Sequence, residues 1–123
     1  MIDKYNSGMI RSVLVDLGKA CYIHEAKKYT LSNAEKTRYI SDHPQIAPDL
    51  RDGHCKQGKP SDVYSVGRIL DNVNRHKLSI PVLTTMSQNC LHYQSTNRPT
   101  SSDLYTSLTF VMNCNYQYVT LVK

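Results

Sequence analysis

The fold is organised around one stretch, Ser61-Asp62-Val63-Tyr64-Ser65-Val66-Gly67-Arg68-Ile69-Leu70. Ser61 and Asp62 follow Pro60 and carry side chains that accept hydrogen bonds from the first N–H groups of a helix, so a helix is predicted to begin here. At about 100° per residue, its apolar side chains fall within an arc of roughly 120°, somewhat wider than the roughly 100° stripe of a typical surface helix. These side chains are Val63, Val66, Ile69, Leu70 and Val73. The pattern predicts a helix that is largely buried.

Gly67 lies inside this apolar helix. Glycine in a helix interior costs about 1 kcal/mol relative to alanine, so its presence needs a compensating reason. We expect another segment to approach the helix closely at this position.

The same stretch resembles the start of the central helix in the large lobe of protein kinases, which reads Asp-x-Trp/Tyr-Ser-x-Gly. Three other stretches resemble kinase motifs in the expected order. Residues 13–18 (Val-Leu-Val-Asp-Leu-Gly) resemble the strand leading into Asp-Phe-Gly, and residues 46–50 (Ile-Ala-Pro-Asp-Leu) resemble the Ala-Pro-Glu motif that closes the activation segment. Residues 97–100 (Asn-Arg-Pro-Thr) resemble the turn before the last helix. Four motifs in order, spanning residues 13 to 108, favour kinase-like ancestry.

The resemblance implies a mainly α chain of α+β family origin: a large-lobe fragment of a protein kinase-like domain with an N-terminal β-hairpin followed by a helical bundle. The hairpin is also predicted from the turn residues Asn6, Ser7 and Gly8 between two apolar segments. Residues 1–112 would form the partial kinase-like domain. Residues 113–123 are a tail outside the resemblance, whose alternating pattern fits an edge strand, a loose end or appended sequence.

Capping signals and apolar spacing predict three more helices. Ser32-Asn33-Ala34-Glu35 has the spacing of a capping box and predicts a short helix through about Tyr39. Pro81 suits a first helical position. Its helix would place Leu83, Met86, Cys90 and Tyr93 on one face. A second capping box at Thr100 and Asp103 predicts a helix with an apolar face of Leu104, Leu108, Val111 and Met112.

The resemblance places two residues in a nucleotide site. Asp16 would be a magnesium ligand, and Gly18 would follow it. Mg²⁺ and ATP are implied by the resemblance only, and neither is expected to bind this chain tightly, because Mg²⁺ favours carboxylates combined with phosphates and water. The alternative is an ordinary aspartate at a strand end beside a glycine turn. No catalytic residue is predicted, since the glycine-rich loop, the phosphate-pairing lysine and the catalytic aspartate have no counterparts in the sequence.

Four residues have implied structural roles. In the family the acidic residue of the Ala-Pro-Glu motif pairs with the arginine of the later turn, which predicts an ion pair between Asp49 and Arg98. Asp62 corresponds to a carboxylate that holds the catalytic loop; here only the capping role is expected of it. Gly67 is the fourth of these residues, as the glycine that ends the Asp-x-Trp/Tyr-Ser-x-Gly motif.

Thr30, Ser32, Thr37 and Tyr39 are candidate phosphosites within the implied activation segment. Lys27, Lys28, Lys36 and Arg38 lie among them and are suited to pair with an added phosphate. The alternative is a set of unmodified surface hydroxyls beside a solvated basic segment.

Length and composition limit which other classes of protein this sequence can belong to. A chain of 123 residues is one domain at most, and its net charge of +5 fits a solvated basic surface. Four widely spaced cysteines favour reduced thiols and a cytoplasmic location. No nucleic-acid module, zinc pattern or membrane-spanning run is expected.

The family implies ATP-dependent phosphorylation of protein hydroxyls, but this chain is expected to be inactive alone, and whether it acts as an enzyme is left open. The competing hypothesis is a non-catalytic, pseudokinase-like module that binds protein partners, with self-association through exposed apolar surface. A third hypothesis is an incomplete gene model, whose full product contains the upstream half of the kinase-like domain.

Overall fold

The computed structural model describes the backbone of residues 2–4, 10–12 and 19–121, and the side chains of residues 19–114. This part of the chain is mainly helical, as predicted. Its α-helices are α1 (Asn33–Asp42), α2 (Pro48–Arg51), α3 (Lys59–Val73), α4 (Pro81–Cys90) and α5 (Ser101–Leu121). One-turn 3-10 helices cover Ile23–Glu25 and Ser95–Asn97, and a π-helix, Asn74–Leu78, continues α3.

Two short strands precede the helices. Strands β1 (Ile2–Lys4) and β2 (Ile10–Ser12) pair antiparallel, with Asp3 opposite Arg11. The turn residues 5–9, and residues 13–16 of the predicted second strand, lie outside the described residues.

Helix α1 begins at the predicted capping box. The Oγ of Ser32 accepts a hydrogen bond from the N–H of Glu35 at 3.3 Å, and the Glu35 carboxylate accepts one from the N–H of Ser32 at 2.8 Å. Two N–H groups that lack helical partners are thereby satisfied. The capping prediction is confirmed, and the helix runs to Asp42, three residues beyond the predicted end.

Helix α3 begins two residues before the predicted start. Gly58 is the N-cap, Lys59 is the first helical residue, and Pro60 lies inside the first turn, where its missing N–H costs nothing. The N–H of Gly58 donates to the Oγ of Ser61 at 3.3 Å, so Ser61 stabilises the helix start from the third position. The prediction that Asp62 caps this helix is wrong.

The core lies where α3 meets α4 and α5. Val63 of α3, Cys90 of α4 and Leu104 of α5 are buried together, and Met86 and Leu108 pack against them. These residues come from the apolar faces predicted for the three helices. Each helix therefore contributes one stripe to a shared core.

Gly67 lies at the closest contact between α3 and α4. A Cβ atom at this position would overlap the Cβ of Cys90 and lie 3.4 Å from the Cys90 carbonyl carbon. The predicted close approach is confirmed. Cys90 fills the space that a side chain at Gly67 would need, and it is completely buried.

The prediction that α3 is largely buried is wrong for three of the five apolar side chains in its arc. Val63 and Gly67 are buried, but Val66, Ile69 and Val73 are 41%, 64% and 41% exposed. Helices α4 and α5 pack on the Val63 side of α3. The apolar pattern shows which side chains favour burial, whereas the number of packed neighbours decides how many achieve it.

A buried asparagine joins the end of α3 to α4. Asn74 donates through Nδ2 to the carbonyl of Ile80 and to Oγ1 of Thr84, and its Oδ1 accepts from the N–H of Ile80. Ser79 adopts a left-handed conformation, with φ of 56°, to close the π-helix. These contacts fix the reversal of the chain into α4.

Helices α4 and α5 follow the predicted starts and depart from the predicted ends and faces. Helix α4 starts at Pro81 and ends at Cys90, so Tyr93 lies beyond it and is 45% exposed. Thr100 and Asp103 form the second capping box. Met112 is 63% exposed, outside the buried face of α5.

The edge strand considered for the tail is not observed, because α5 continues through Leu121. Within the described residues, no helix is both long and apolar enough to span a bilayer.

Candidate functional site

The segment that closes on α3 is held by a buried ion pair. Asp49, in the short helix α2, and Arg98, in the turn before α5, are 49 positions apart in sequence. Nη2 of Arg98 donates to Oδ1 of Asp49 at 2.7 Å, and the two side chains are 0% and 5% exposed, respectively. The ion pair predicted from the sequence is present.

Arg98 makes three further hydrogen bonds, to two other segments of the chain. Nε donates to the carbonyl of His92 at 2.8 Å, Nη1 to that of Pro60 at 3.0 Å, and Nη2 also to that of Tyr93 at 2.8 Å. Its guanidinium lies 5.2 Å from the ring centroid of Tyr64. One arginine thus connects α2, the start of α3 and the turn after α4. The planar fork of arginine provides the several fixed donors that this arrangement requires.

The electrostatics of the pair favour an ionised Asp49. Burial acts to raise the pKa of Asp49, but hydrogen bonding to Arg98 and the charge of that guanidinium outweigh it, so the pKa lies below its ordinary value. The Leu50 N–H also donates to Oδ1 at 3.1 Å. Burial, followed by the adjacent Asp49 carboxylate, raises the pKa of the Cys55 thiol to about 11. Cys55 is therefore a neutral thiol at neutral pH.

Asp62 lines a cavity of about 450 Å³ between the α1–α2 region and the start of α3. Its carboxylate is exposed and forms no hydrogen bond with any described residue. Tyr39 lines the same cavity and contacts Tyr29 and His43 edge to face. The cavity therefore lies between residues 29–50 and the start of α3.

The candidate phosphosites occupy different environments. Thr30 and Ser32 are exposed, and Ser32 is the N-cap of α1. Thr37 donates its hydroxyl hydrogen to the Asn33 carbonyl at 3.0 Å. Tyr39 is half-buried. None of the four neighbouring basic side chains forms an ion pair within the described part of the chain; these are Lys27, Lys28, Lys36 and Arg38.

The predicted nucleotide-site residues, Asp16 and Gly18, lie outside the described residues. Among the residues that the structure describes, no group of three or more His, Cys, Asp or Glu side chains could hold a metal ion. The magnesium and nucleotide roles of Asp16 and Gly18 stay predictions.

Sequence reasoning did not find a polar cluster on the surface beside the ion pair. The Tyr93 hydroxyl donates to Oδ2 of Asp52 at 2.9 Å and lies 3.1 Å from Nδ1 of His54. A tyrosine hydroxyl has one hydrogen, so His54 supplies the hydrogen for the second bond. The residues are 39 and 41 positions from Tyr93, and no local spacing signals such contacts.

Comparison with known proteins gives one partial similarity. The chain is 30% identical, over 91 residues, to extracellular signal-regulated kinase 2 of Dictyostelium discoideum. The match covers 74% of this chain and 25% of the kinase, so the chain spans about a quarter of that relative. No protein-family profile matches the chain, and no solved structure matches it. The similarity supports a kinase-like relationship at most.

Proposed function

We propose that this chain is a large-lobe portion of a protein kinase-like domain. The buried contact between Asp49 and Arg98 carries the proposal. The resemblance specified this pair between two motifs 49 positions apart, and no local pattern requires the two side chains to meet. The similarity to the Dictyostelium kinase supports the same assignment.

In such a domain the reaction transfers the γ-phosphate of ATP to a protein hydroxyl. Asp16 would hold Mg²⁺ against the phosphates, with Gly18 beside it. Positioning and charge neutralisation by several groups supply nearly all of the rate enhancement in phosphoryl transfer. Among the 123 residues, only Asp16 and Gly18 correspond to these groups. The isolated chain is therefore proposed not to catalyse phosphoryl transfer.

A thermal shift titration tests this statement. The chain is heated with and without Mg²⁺ and ATP, alongside the variant Asp16→Asn. A ligand at about 100 times its dissociation constant stabilises a folded protein by about 2.7 kcal/mol, so specific binding is measurable. We expect the same melting temperature in every condition. A rise with Mg²⁺ and ATP that Asp16→Asn abolishes would show a working nucleotide site and contradict the proposal.

We also propose that Thr30, Ser32, Thr37 and Tyr39 accept phosphate from another kinase. Ser32 is the favoured position, because its exposed hydroxyl lies at the N-terminus of α1, where a negative group is stabilised. Mass spectrometry of the chain purified from its own cells should find phosphate at Ser32. Unmodified peptides covering residues 27–42 would contradict this.

A second function is supported by the exposed apolar residues of α3. A non-catalytic module that binds protein partners would present Val66, Ile69 and Val73 to them. In this case Ile69→Lys should abolish a partner complex that Val82→Lys retains, since Val82 is a similarly exposed residue on α4.

A further inference from the structure

Three apolar side chains form an exposed row along α3, here called the α3 stripe: Val66, Ile69 and Val73. They are 41%, 64% and 41% exposed. At about 100° per residue they lie within an arc of about 60°, beside the buried face of Val63 and Gly67. A helix face with apolar residues at this spacing is suited to pack against another helix.

Opposite charges lie beyond the two ends of the stripe. Asp62 is one turn before Val66, is exposed, and has no partner among the described residues. Lys77 is one turn after Val73, in the π-helix, and is also exposed. The two ends are about 20 Å apart at 1.5 Å per residue, so these charges cannot meet within one copy of the chain.

The α3 stripe of one copy is complementary to the α3 stripe of a second copy that runs in the opposite direction. Pairing Asp62 with Lys77, Val66 with Val73, and Ile69 with itself keeps one common centre near Ile69. Two-fold dimers require this relation, because each residue must meet the counterpart that also meets it. We infer that two copies of this chain pack their α3 helices antiparallel, with Ile69 at the two-fold axis.

The charges select the antiparallel arrangement. With parallel helices, Asp62 would face Asp62 and Lys77 would face Lys77, and like charges in contact disfavour association. With antiparallel helices, each Asp62 faces the basic turn of the second copy. Ser65 and Asn72 flank the stripe and are small and polar, and Arg68 lies about 100° from Ile69 around the helix. No described charged side chain of α3 therefore lies within the apolar contact.

This inference concerns α3 alone and does not depend on the kinase-like assignment, so either can fail without the other. Sedimentation velocity over a range of concentrations tests it. The chain should form a dimer, and Ile69→Lys should raise the dissociation constant at least about tenfold, because two like charges would meet at the axis. Val82→Lys is the matched control and should leave the dimer unchanged. Circular dichroism should show that both variants are folded, since both positions are exposed.

Charge reversal tests the antiparallel pairing separately. Asp62→Lys should weaken the dimer, and the double variant Asp62→Lys with Lys77→Asp should restore it. A chain that stays monomeric up to about 100 µM would overturn the inference. Equal effects of Ile69→Lys and Val82→Lys, irregular larger aggregates, or a double reversal that fails to restore the dimer would overturn it as well.

Discussion

Replacing Arg98 by alanine is the perturbation with the largest expected effect. The Arg98 side chain is completely buried, and its removal deletes a 2.7 Å contact with Asp49 and three hydrogen bonds to backbone carbonyls. The Asp49 carboxylate, 5% exposed, would then remain charged in the interior without its counter-ion. A stranded buried charge is more costly than the loss of the pair itself.

The expected loss is about 3–5 kcal/mol of the free energy of unfolding. For a chain of this size, 1 kcal/mol corresponds to roughly 3–6 °C, so the melting temperature should fall by about 10–30 °C. Arg51 is the matched control. It lies two residues after Asp49, and its Nε is 3.5 Å from the carboxylate of its neighbour Asp52. Arg51→Ala should cost less than Arg98→Ala, about 1 kcal/mol, because the buried Nε of Arg51 has no hydrogen-bond partner among the described residues to lose.

Thermal melting and urea titration, both monitored by circular dichroism, measure the melting temperature and the free energy of unfolding. Arg98→Lys keeps the charge but loses the planar fork of donors, so it should fall between wild type and Arg98→Ala and remains informative if the alanine variant does not fold. The double variant with Asp49→Ala should be less destabilised than the sum of the two single variants, since it strands no charge. Equal losses of stability for Arg98→Ala and Arg51→Ala would contradict a buried, charge-compensating role for Arg98.

Three further predictions follow from the contacts in the core and around the ion pair. Gly67→Ala should destabilise the chain by about 1–3 kcal/mol in urea titration, because the new Cβ overlaps Cys90. Gly58→Ala creates no overlap and should cost less, about 1 kcal/mol or below, because alanine is a poorer N-cap than glycine; an equal loss for both variants would contradict the close approach. The lowered pKa of Asp49 gives stability that is present above its unfolded pKa of about 3.9 and lost as pH falls through the folded value, so Asp49→Asn should flatten the acid limb of a pH melting series. Iodoacetamide at pH 8 should alkylate the exposed Cys21 at least about ten times faster than Cys55, whose pKa burial and Asp49 raise to about 11, as read by peptide mass spectrometry; similar rates would argue against the burial of Cys55.

The sequence predicted helices best where a local signal marks their start. The Ser32 and Thr100 capping boxes and Pro81 each begin a helix where expected, because these signals act between residues three or four positions apart. Helix α3 starts two residues before the predicted position. Pro60 lies within its first turn and not before the helix.

The extent of burial was predicted less well. Period and composition identify an apolar face, and Val63 is buried as that face requires. Ile69 belongs to the same predicted arc and is 64% exposed, because burial depends on which elements pack nearby. The alternating pattern of the tail was similarly ambiguous, since alternation over a few residues does not exclude a helix that continues from α5.

One part of the candidate site was predicted from the sequence and another part was not. The pair between Asp49 and Arg98 was predicted from ordered motifs, since its partners are too distant for any local rule. The cluster of Tyr93, Asp52 and His54 has no motif, and a single sequence contains no signal that would place these side chains together.

Sequencing the transcript upstream of Met1 tests the kinase-like assignment most directly. We expect an in-frame upstream reading that encodes a His-x-Asp motif within roughly 20 residues of Met1, as a catalytic loop preceding the first strands would require. A full-length transcript whose upstream reading encodes an unrelated sequence would contradict the assignment of this chain to the large lobe of a phosphotransferase.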